Sequence, residues 1–295
     1  MVSYRSAAGS NLSARQLAAS LDVSAPFSLR NVLSHAVINR AWQHNGGRLG
    51  PLGLPTSEVQ SVNGGIKQFF QGGEIAIIAQ ELKVTQTRVS TIRFKGIHCF
   101  GTSAGPGADE PYVVCAVYAP HKRERAQVIK IPMSGSYENF SSGTQQADVI
   151  DVWHREPPTD VAVACYLMEH DSGDEEEVKN NIKTAVEKGI TTVEAAIAAV
   201  GGPFSLPEEW ISMLTVPMSA GITALLGLGD DVIGFQTLDF KFVELNQLAE
   251  TPLPPHNFGA ISFTHETPLI TDGGASYKCY FEVYTEIVDH PLPPG

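Results

Sequence analysis

Acidic side chains concentrate at three places in this chain of 295 residues, and each place adjoins a segment that the residue pattern predicts to be a β-strand. Six of the nine residues from Glu169 to Glu177 are acidic, one acidic pair precedes the apolar segment from Pro111, and another precedes the segment from Val232. Loops cluster at the ends of a β-sandwich, so these carboxylates can meet at one rim. Ca²⁺ binds about six to eight oxygens, which flexible acidic loops supply. The predicted calcium ligands are Asp109, Glu110, Glu169, Asp171, Asp230 and Asp231.

Electrostatic repulsion is the physical argument for a cation at this rim. Carboxylates that are held together without a cation raise one another's pKa and weaken the fold. The spacing is not that of an EF-hand, which needs alternating acids within a single loop. For Glu175 to Glu177 we favour another interpretation, because acids in the first turn of a helix interact favourably with its dipole.

Catalysis receives less support from the residue pattern. The chain contains no HExxH or GxxxxGK[ST] motif, and we expect no GxSxG nucleophile elbow. The glycine-rich loop 101–107 lacks the strand-to-helix context that phosphate binding needs. A cell-wall hydrolase that uses Glu169 and Asp230 as paired carboxylates stays an alternative, because the separation of the two groups in space decides that chemistry.

The four cysteines are predicted to be buried thiols. Cys99, Cys115, Cys165 and Cys279 lie far apart in apolar segments, and none forms a CxxC pair. Such residues behave as small core side chains, and the spacing is unlike that of a zinc site. One disulfide is the alternative.

From residue 82 onward, segments rich in Val, Ile, Thr and Phe are separated by Gly, Pro, Asn and Asp, which is typical of short strands. The predicted strands are 82–88, 91–100, 112–119, 127–132, 149–153, 161–169, 232–244, 259–264 and 277–288. This pattern predicts a mainly β fold, an antiparallel β-sandwich.

A helical insertion over residues 172–228 interrupts the strands. Three capping-box spacings, Ser172 with Glu175, Thr191 with Glu194 and Ser205 with Glu208, each open a segment of helical periodicity. We expect a helical cap that packs against the sandwich. The alternative is a segment that enters a membrane surface, because residues 218–228 carry no charge.

The N-terminal part is predicted to be a small α+β unit, with helices over 12–21 and 29–43. A motif follows: Trp42, Gly46-Gly47, Leu52-Gly53-Leu54-Pro55, Gly64-Gly65, Phe69-Phe70 and Gly72-Gly73. It resembles one copy of the LGFP repeat, with Leu54 where the family has an aromatic residue. That resemblance implies attachment to a cell envelope, and the candidate ligand-binding residues are Trp42, Leu54, Phe69 and Phe70. The alternative is that these side chains form only a miniature core.

The second part resembles a family of bacterial and fungal C2-like sandwich domains through Asp109-Glu110-Pro111-Tyr112 and the segment Gly229-Asp230-Asp231 followed by Ile233-Gly234. The resemblance covers about residues 90–245 and implies calcium-dependent attachment to membranes or glycans. We therefore predict an N-terminal unit over residues 1–80 and a sandwich domain over 81–295.

Composition narrows the class of partner. With 20 Lys and Arg against 32 Asp and Glu, the formal charge of −12 argues against nucleic acid, whose binding needs clustered positive charge. The sequence shows neither a membrane-spanning segment nor a secretory signal, so we expect a soluble protein that is cytoplasmic or exported by another route.

Three functions follow as hypotheses. The first is a non-catalytic, lectin-like protein that recognises a cell surface, a cell wall or a glycan, with or without calcium. The second is a calcium-dependent, membrane-active or pore-forming defence protein, and the third is the wall hydrolase.

Overall fold

A computed structural model describes residues 27–103, 107–119, 127–171, 174–199 and 231–288. The chain forms two compact units that divide between Thr87 and Arg88. The sequence placed this division at residue 80. The structure moves it because the segment Glu81–Gln86 pairs with the N-terminal sheet and belongs to that unit.

The first unit is one helix packed on a small antiparallel sheet. Its elements are helix α1 (Phe27–His44), a 3₁₀ helix (Gly47–Leu49) and strands β1 (Gln60–Val62), β2 (Gly65–Phe70), β3 (Gly73–Ile78) and β4 (Glu81–Gln86), which pair in chain order. Val37, Ile38, Ala41, Leu52, Phe70, Ile75 and Ile77 form its core. The helix predicted over 29–43 is confirmed, whereas the one predicted over 12–21 lies outside the described residues.

The glycines of the motif are required because backbone segments approach one another closely. A Cβ atom at Gly50 would overlap the carbonyl oxygen of Asn45, and one at Gly72 would overlap that of Pro51. Only glycine permits such contacts. The motif therefore holds the turn after α1 against the turn between β2 and β3, whether or not the unit binds a ligand.

The second unit is a sandwich of two antiparallel sheets, as the sequence predicts. Its elements are β5 (Arg88–Gly101), β6 (Pro111–Tyr118), β7 (Gln127–Ile131), β8 (Gln145–Glu156), β9 (Val161–Glu169), α2 (Glu175–Ala199), β10 (Asp231–Phe240), α3 (Phe242–Gln247), β11 (His256–Phe258), β12 (Ile261–Phe263), β13 (His265–Glu266), β14 (Ile270–Asp272) and β15 (Ala275–Ile287). One sheet has the order β10-β9-β6-β7 and the other β13-β15-β5-β8, with β14 paired to β15. Side chains from both sheets form a single hydrophobic core.

The central strands of the first sheet are buried on both faces. Every residue of β6 is buried, and so is every residue of β9 except Glu169. Helix α2 contacts β6 and β7 and buries Val178, Ile182 and Val186. The described part of the helical insertion therefore covers the outer face of this sheet, which explains why both strands are continuous apolar segments.

Helix α2 differs from the prediction at both of its proposed caps. The capping box at Thr191 does not start a second helix, because α2 continues through it and the Thr191 hydroxyl donates to the carbonyl oxygen of Glu187 at 2.9 Å. At the N-terminus, the carboxylate of Asp174 accepts hydrogen bonds from the N–H groups of Glu176 and Glu177 at 2.9 and 3.3 Å. Ser172 and residues 200–230, which include the later predicted helices and the uncharged segment, lie outside the described residues.

The strand predicted over 232–244 is shorter in the structure. It ends at Phe240, and α3 begins because Glu244 accepts a hydrogen bond from the N–H of Lys241 at 3.1 Å. The buried carboxylate of Asp160 also accepts the N–H of Phe242 at 2.7 Å. Because these hydrogen bonds cap the helix, the end of this strand-like segment forms α3 instead of continuing the strand.

Two further expectations can be compared directly with the structure. All four cysteines are free and buried, which confirms the predicted buried thiols. Among the described residues, no helix has the length and apolarity needed to cross a bilayer.

Replacement of Asp174 by alanine removes the N-cap of α2 and should lower the free energy of unfolding by about 1 kcal/mol, the usual cost of losing a capping side chain. Urea unfolding followed by circular dichroism measures the change. Asp174→Ser is the matched control, because it removes the charge and keeps a capping oxygen. Equal losses in the two variants would contradict the capping role.

Candidate functional site

A surface cleft of about 370 Å³ lies in the N-terminal unit, between α1 and the sheet. It is lined by His35, Ala36, Asn39, Trp42, Pro55, Gln68 and Phe70. Four of these residues come from α1, where His35, Asn39 and Trp42 follow one another at spacings of four and three and therefore share one face of the helix. Strand β2 supplies Gln68 and Phe70.

Trp42 is held in a fixed orientation on this cleft. Its indole N–H donates to the carbonyl oxygen of Gly53 at 2.7 Å, and its ring lies nearly parallel to that of Phe70, with the centroids 6.2 Å apart. Phe70 is buried in the core, whereas Trp42 is only partly buried. The cleft thus has a partly exposed aromatic side chain whose orientation is set by the protein before any ligand arrives.

Polar groups flank this aromatic surface. The amide nitrogen of Gln68 donates to the carbonyl oxygen of Ser57 at 2.9 Å, which orients the side chain. The side chains of Asn39 and His35 are exposed and make no hydrogen bond within the described parts of the chain. Amide groups both donate and accept hydrogen bonds. The lining contains no carboxylate, lysine or arginine.

The structure separates the four predicted ligand-binding residues into two pairs. Trp42 and Phe70 line the cleft, whereas Leu54 and Phe69 do not. Leu54 is 50% exposed, and the ammonium group of Lys67 lies 4.2 Å from the centroid of the Phe69 ring. The sequence interpretation missed the polar lining, although the helical spacing from His35 to Trp42 is the signal that could have found it.

The acidic rim of the sandwich is built around Asp109, which is almost completely buried. Its carboxylate accepts hydrogen bonds from the N–H and hydroxyl of Ser103, the hydroxyl at 2.7 Å, and from the hydroxyl of Tyr277 at 2.6 Å. Burial and the neighbouring carboxylate raise the pKa of Tyr277, so this hydroxyl keeps its proton. Asp109 is therefore satisfied by protein donors and acts as a structural carboxylate.

Glu169 lies beside Asp109 at the end of β9. In the sheet it pairs with Pro111 on one side and with Asp231 on the other, and the Ser103 hydroxyl is 3.2 Å from its carboxylate. Burial raises the pKa of Glu169, and repulsion from Asp109, Asp171 and Asp231 raises it further. Four of the six predicted ligands therefore come within electrostatic reach of one another.

The other two predicted ligands give no further oxygen to this group. Glu110 is exposed, and its backbone carbonyl accepts a hydrogen bond from the N–H of His170 at 3.0 Å. Asp230 lies outside the described residues, so the proposed pairing of Glu169 with Asp230 in a hydrolase is untested. Glu176 and Glu177 lie in the first turn of α2, where acids suit the helix dipole.

The described carboxylates of the rim are not gathered around a common point. Among the described residues, no three or more His, Cys, Asp or Glu side chains surround one point, and both oxygens of Asp109 already accept hydrogen bonds. Ca²⁺ needs about six to eight oxygens. Calcium stays a prediction, which requires the carboxylates to draw together or residues outside the described ranges to contribute.

Ser103 is the residue that the sequence interpretation passed over. Residues 101–105 read Gly-Thr-Ser-Ala-Gly, which matches the letters of GxSxG, and Ser103 lies between two carboxylates. In a nucleophile elbow the serine stands on a turn between a strand and a helix. Here the next described element is strand β6, and both the N–H and the hydroxyl of Ser103 bind Asp109. Its described role is that of a hydrogen-bond donor to the rim.

Glu169→Gln should stabilise the protein at pH 7 by about 0.5 kcal/mol, because like charges directly opposite on neighbouring strands cost a few tenths to about 1 kcal/mol. Folding raises the pKa of the Glu169 carboxyl above its ordinary value of 4.5. The ionised carboxyl therefore destabilises the folded state above this raised pKa, and the destabilisation is absent below pH 4.5. The advantage of Glu169→Gln should therefore disappear as the pH falls to about 4.5. Urea unfolding across this range measures it, with Glu110→Gln as the exposed control. A gain that is independent of pH would contradict the explanation.

The same variant tests the calcium prediction. If Ca²⁺ binds at the rim, millimolar Ca²⁺ should raise the unfolding temperature of the wild type, because a ligand of the folded state stabilises it, and the rise should shrink in Glu169→Gln. Sodium chloride at equal ionic strength controls for screening. An equal rise in both proteins would place any bound calcium elsewhere.

Comparison with known proteins does not assign the chain to a family. No family model matches the chain, and no curated protein is significantly similar to it. The resemblances to the LGFP repeat and to C2-like domains therefore stay predictions from the sequence.

Proposed function

We propose that this protein is a non-catalytic binding protein that recognises carbohydrate on a cell surface or cell wall, and that the cleft around Trp42 holds the sugar. The observation that carries the proposal is the partly exposed, fixed indole of Trp42 with the Asn39 and Gln68 side chains lining the same cleft. A sugar ring presents an apolar face of C–H groups and a periphery of hydroxyls. An aromatic face suits the first, and amide groups suit the second.

The charge of the lining favours a neutral sugar. Apart from the imidazole of His35, no ionisable side chain lines the cleft. The chain as a whole carries a formal charge of −12, so its field repels acidic polymers at a distance. Neutral hexose or N-acetylhexosamine units therefore fit the lining better than uronic acids or phosphate-bearing polymers.

The size of the cleft limits the affinity. Its volume of about 370 Å³ lies at the lower end of the range for small-molecule sites, which suits about one or two sugar rings. A shallow site that orders few groups binds weakly, so we expect dissociation constants of about 1 mM for short oligosaccharides. Attachment to a polymeric surface then requires several such contacts at once.

Asn39→Ala is the sharpest test, because Asn39 is exposed and its loss should leave the fold intact. Removal of one hydrogen bond should weaken binding of neutral oligosaccharides by roughly threefold to tenfold. The affinity is measured by NMR: oligomers of chitin, glucan and mannan are titrated into the protein, and the backbone amide signals of the N-terminal unit are followed.

Trp42→Ala should weaken binding by about tenfold or more, because it removes the aromatic surface. Thermal unfolding checks that the unit still folds, since Trp42 also binds Gly53. Leu54→Ala is the control, because Leu54 is exposed and lies outside the cleft. Binding that survives both Asn39→Ala and Trp42→Ala would overturn the proposal, as would an equal loss in Leu54→Ala.

A further inference from the structure

The hairpin of β11 and β12 lies across the outer face of the second sheet. Strand β12 contacts β5, β8 and β15, and Ile261 and Phe263 are buried there against Tyr280, which lies outside the main core. The Phe263 and Tyr280 rings are 4.6 Å apart. At the turn, Gly259 lies against the amide group of the Gln145 side chain. The hairpin thus covers an apolar area that would otherwise face solvent.

His98 is enclosed beneath this hairpin. Its side chain is directed to the outer face, because its neighbours in β5 belong to the main core, and it is only 5% exposed. Its ring lies 4.1 Å from that of Phe100 and 4.6 Å from that of Phe258, the last residue of β11. Phe258 stacks in turn on Tyr280, with the centroids 6.1 Å apart.

Among the described residues, the imidazole of His98 has no hydrogen-bond or ion-pair partner that would stabilise its charged form. Its Nδ1 atom is buried without a hydrogen-bond partner within the described residues. Burial lowers the pKa of His98, and no charged neighbour opposes this shift. Contacts with ring faces attract a cation, but they replace only part of the hydration that burial removes.

The charged groups of the surrounding elements do not compensate for a positive charge on His98. Lys278 stands directly opposite on β15 and is paired with Glu266 of β13, and the neutral Gln145 stands opposite on β8. Lys95 of β5 is paired with Glu282 of β15. The remaining titratable groups nearby are His256 of β11 and His265 of β13. β12 contributes no charge. Of these groups, the two carboxylates, Glu266 and Glu282, already have lysine partners.

We propose that the β11–β12 hairpin is an acid-released cover and that protonation of His98 releases it. A cation between Phe100 and Phe258 gains more water when Phe258, which is already 37% exposed, moves away, and Phe258 carries the hairpin with it. Release would expose Ile261, Phe263 and Tyr280, which are buried in the closed state, and would join them to the partly exposed Phe258 as one apolar surface. The protein would then present this surface in an acidic environment and conceal it at neutral pH.

The direction of the pH dependence follows from the lowered pKa. The closed state binds fewer protons than the open state, so closure is fully stable above the ordinary histidine value of 6.5 and loses stability as the pH falls below it. Until the pKa of the closed state is reached, the opening constant should rise by up to about tenfold for each pH unit.

Hydrogen exchange of the full chain, followed by mass spectrometry, tests this proposal. Between pH 7.5 and pH 5.0, after correction for the intrinsic exchange rate, peptides that cover 256–263 should exchange faster, by up to about tenfold for each pH unit below 6.5, while those of β6 and β9 keep their protection. The variant His98→Phe keeps a ring at this position and cannot be protonated, so its hairpin should change by less than about threefold. His154→Phe is the matched control and should behave as the wild type, because His154 is exposed and lies about 30 Å along β8 from Gln145.

Two results would overturn the proposal. The first is a hairpin that opens at pH 5.0 in His98→Phe as readily as in the wild type, which would assign the effect to His256, His265 or the carboxylates. The second is independent of any variant: a pKa of His98 at or above 6.5, measured by NMR on the wild-type protein. A lowered pKa together with a hairpin that stays closed in His98→Phe would support it.

Discussion

The hydrogen bond from the Tyr277 hydroxyl to the buried Asp109 carboxylate, 2.6 Å long, holds the two sheets of the sandwich together at the acidic rim. Tyr277 belongs to β15 of one sheet, and Asp109 precedes β6 of the other. A buried carboxylate is costly unless donors satisfy it, and here the N–H and hydroxyl of Ser103 supply the others. Backbone hydrogen bonds in both directions with Phe140 fix the same residue. These hydrogen bonds to Asp109 fix the position of the loop before β6. Because Glu169 lies beside this loop, they also determine its surroundings.

The rim therefore contains carboxylates of two kinds. Asp109 is enclosed and fully hydrogen-bonded, so its charge is a structural element. Glu169, at the end of β9, has a raised pKa because it is partly buried and because the carboxylates of Asp109, Asp171 and Asp231 repel its charge. Clustered acids in a sequence are thus not equivalent to a metal site, because hydrogen-bond donors of the protein can occupy the oxygens that a cation would need.

The outer faces of the two sheets are covered by different kinds of element. Helix α2 lies on one sheet through apolar side chains such as Val178 and Ile182. The β11–β12 hairpin covers the other sheet and encloses His98, whose neutral form the contact requires. The N-terminal unit follows a third pattern, since Trp42 both packs beside its core and lines the cleft. The same indole therefore supports the fold and the proposed sugar site.

Much of the architecture is local enough to be predicted. Continuous apolar segments at Pro111–Tyr118 and Val161–Glu169 indicate central strands that are covered on both faces, and the motif glycines indicate close backbone approach. Predictions failed where short signals compete. Thr191 has the spacing of a helix cap and instead bonds back within α2, and Glu244 ends a strand-like segment by starting α3.

By itself, the sequence determined the fold class, the order of the main elements and the places where acids and aromatic residues gather, because these follow from backbone preference and hydrophobic periodicity. Only the tertiary structure decided which of these side chains are accessible and which charges are satisfied. Asp109 is hydrogen-bonded to Tyr277, and His98 contacts Phe258, and the residues of each pair are more than half of the chain apart in sequence. Burial and hydrogen bonding set the chemical state of a side chain, and both depend on residues that are remote in sequence.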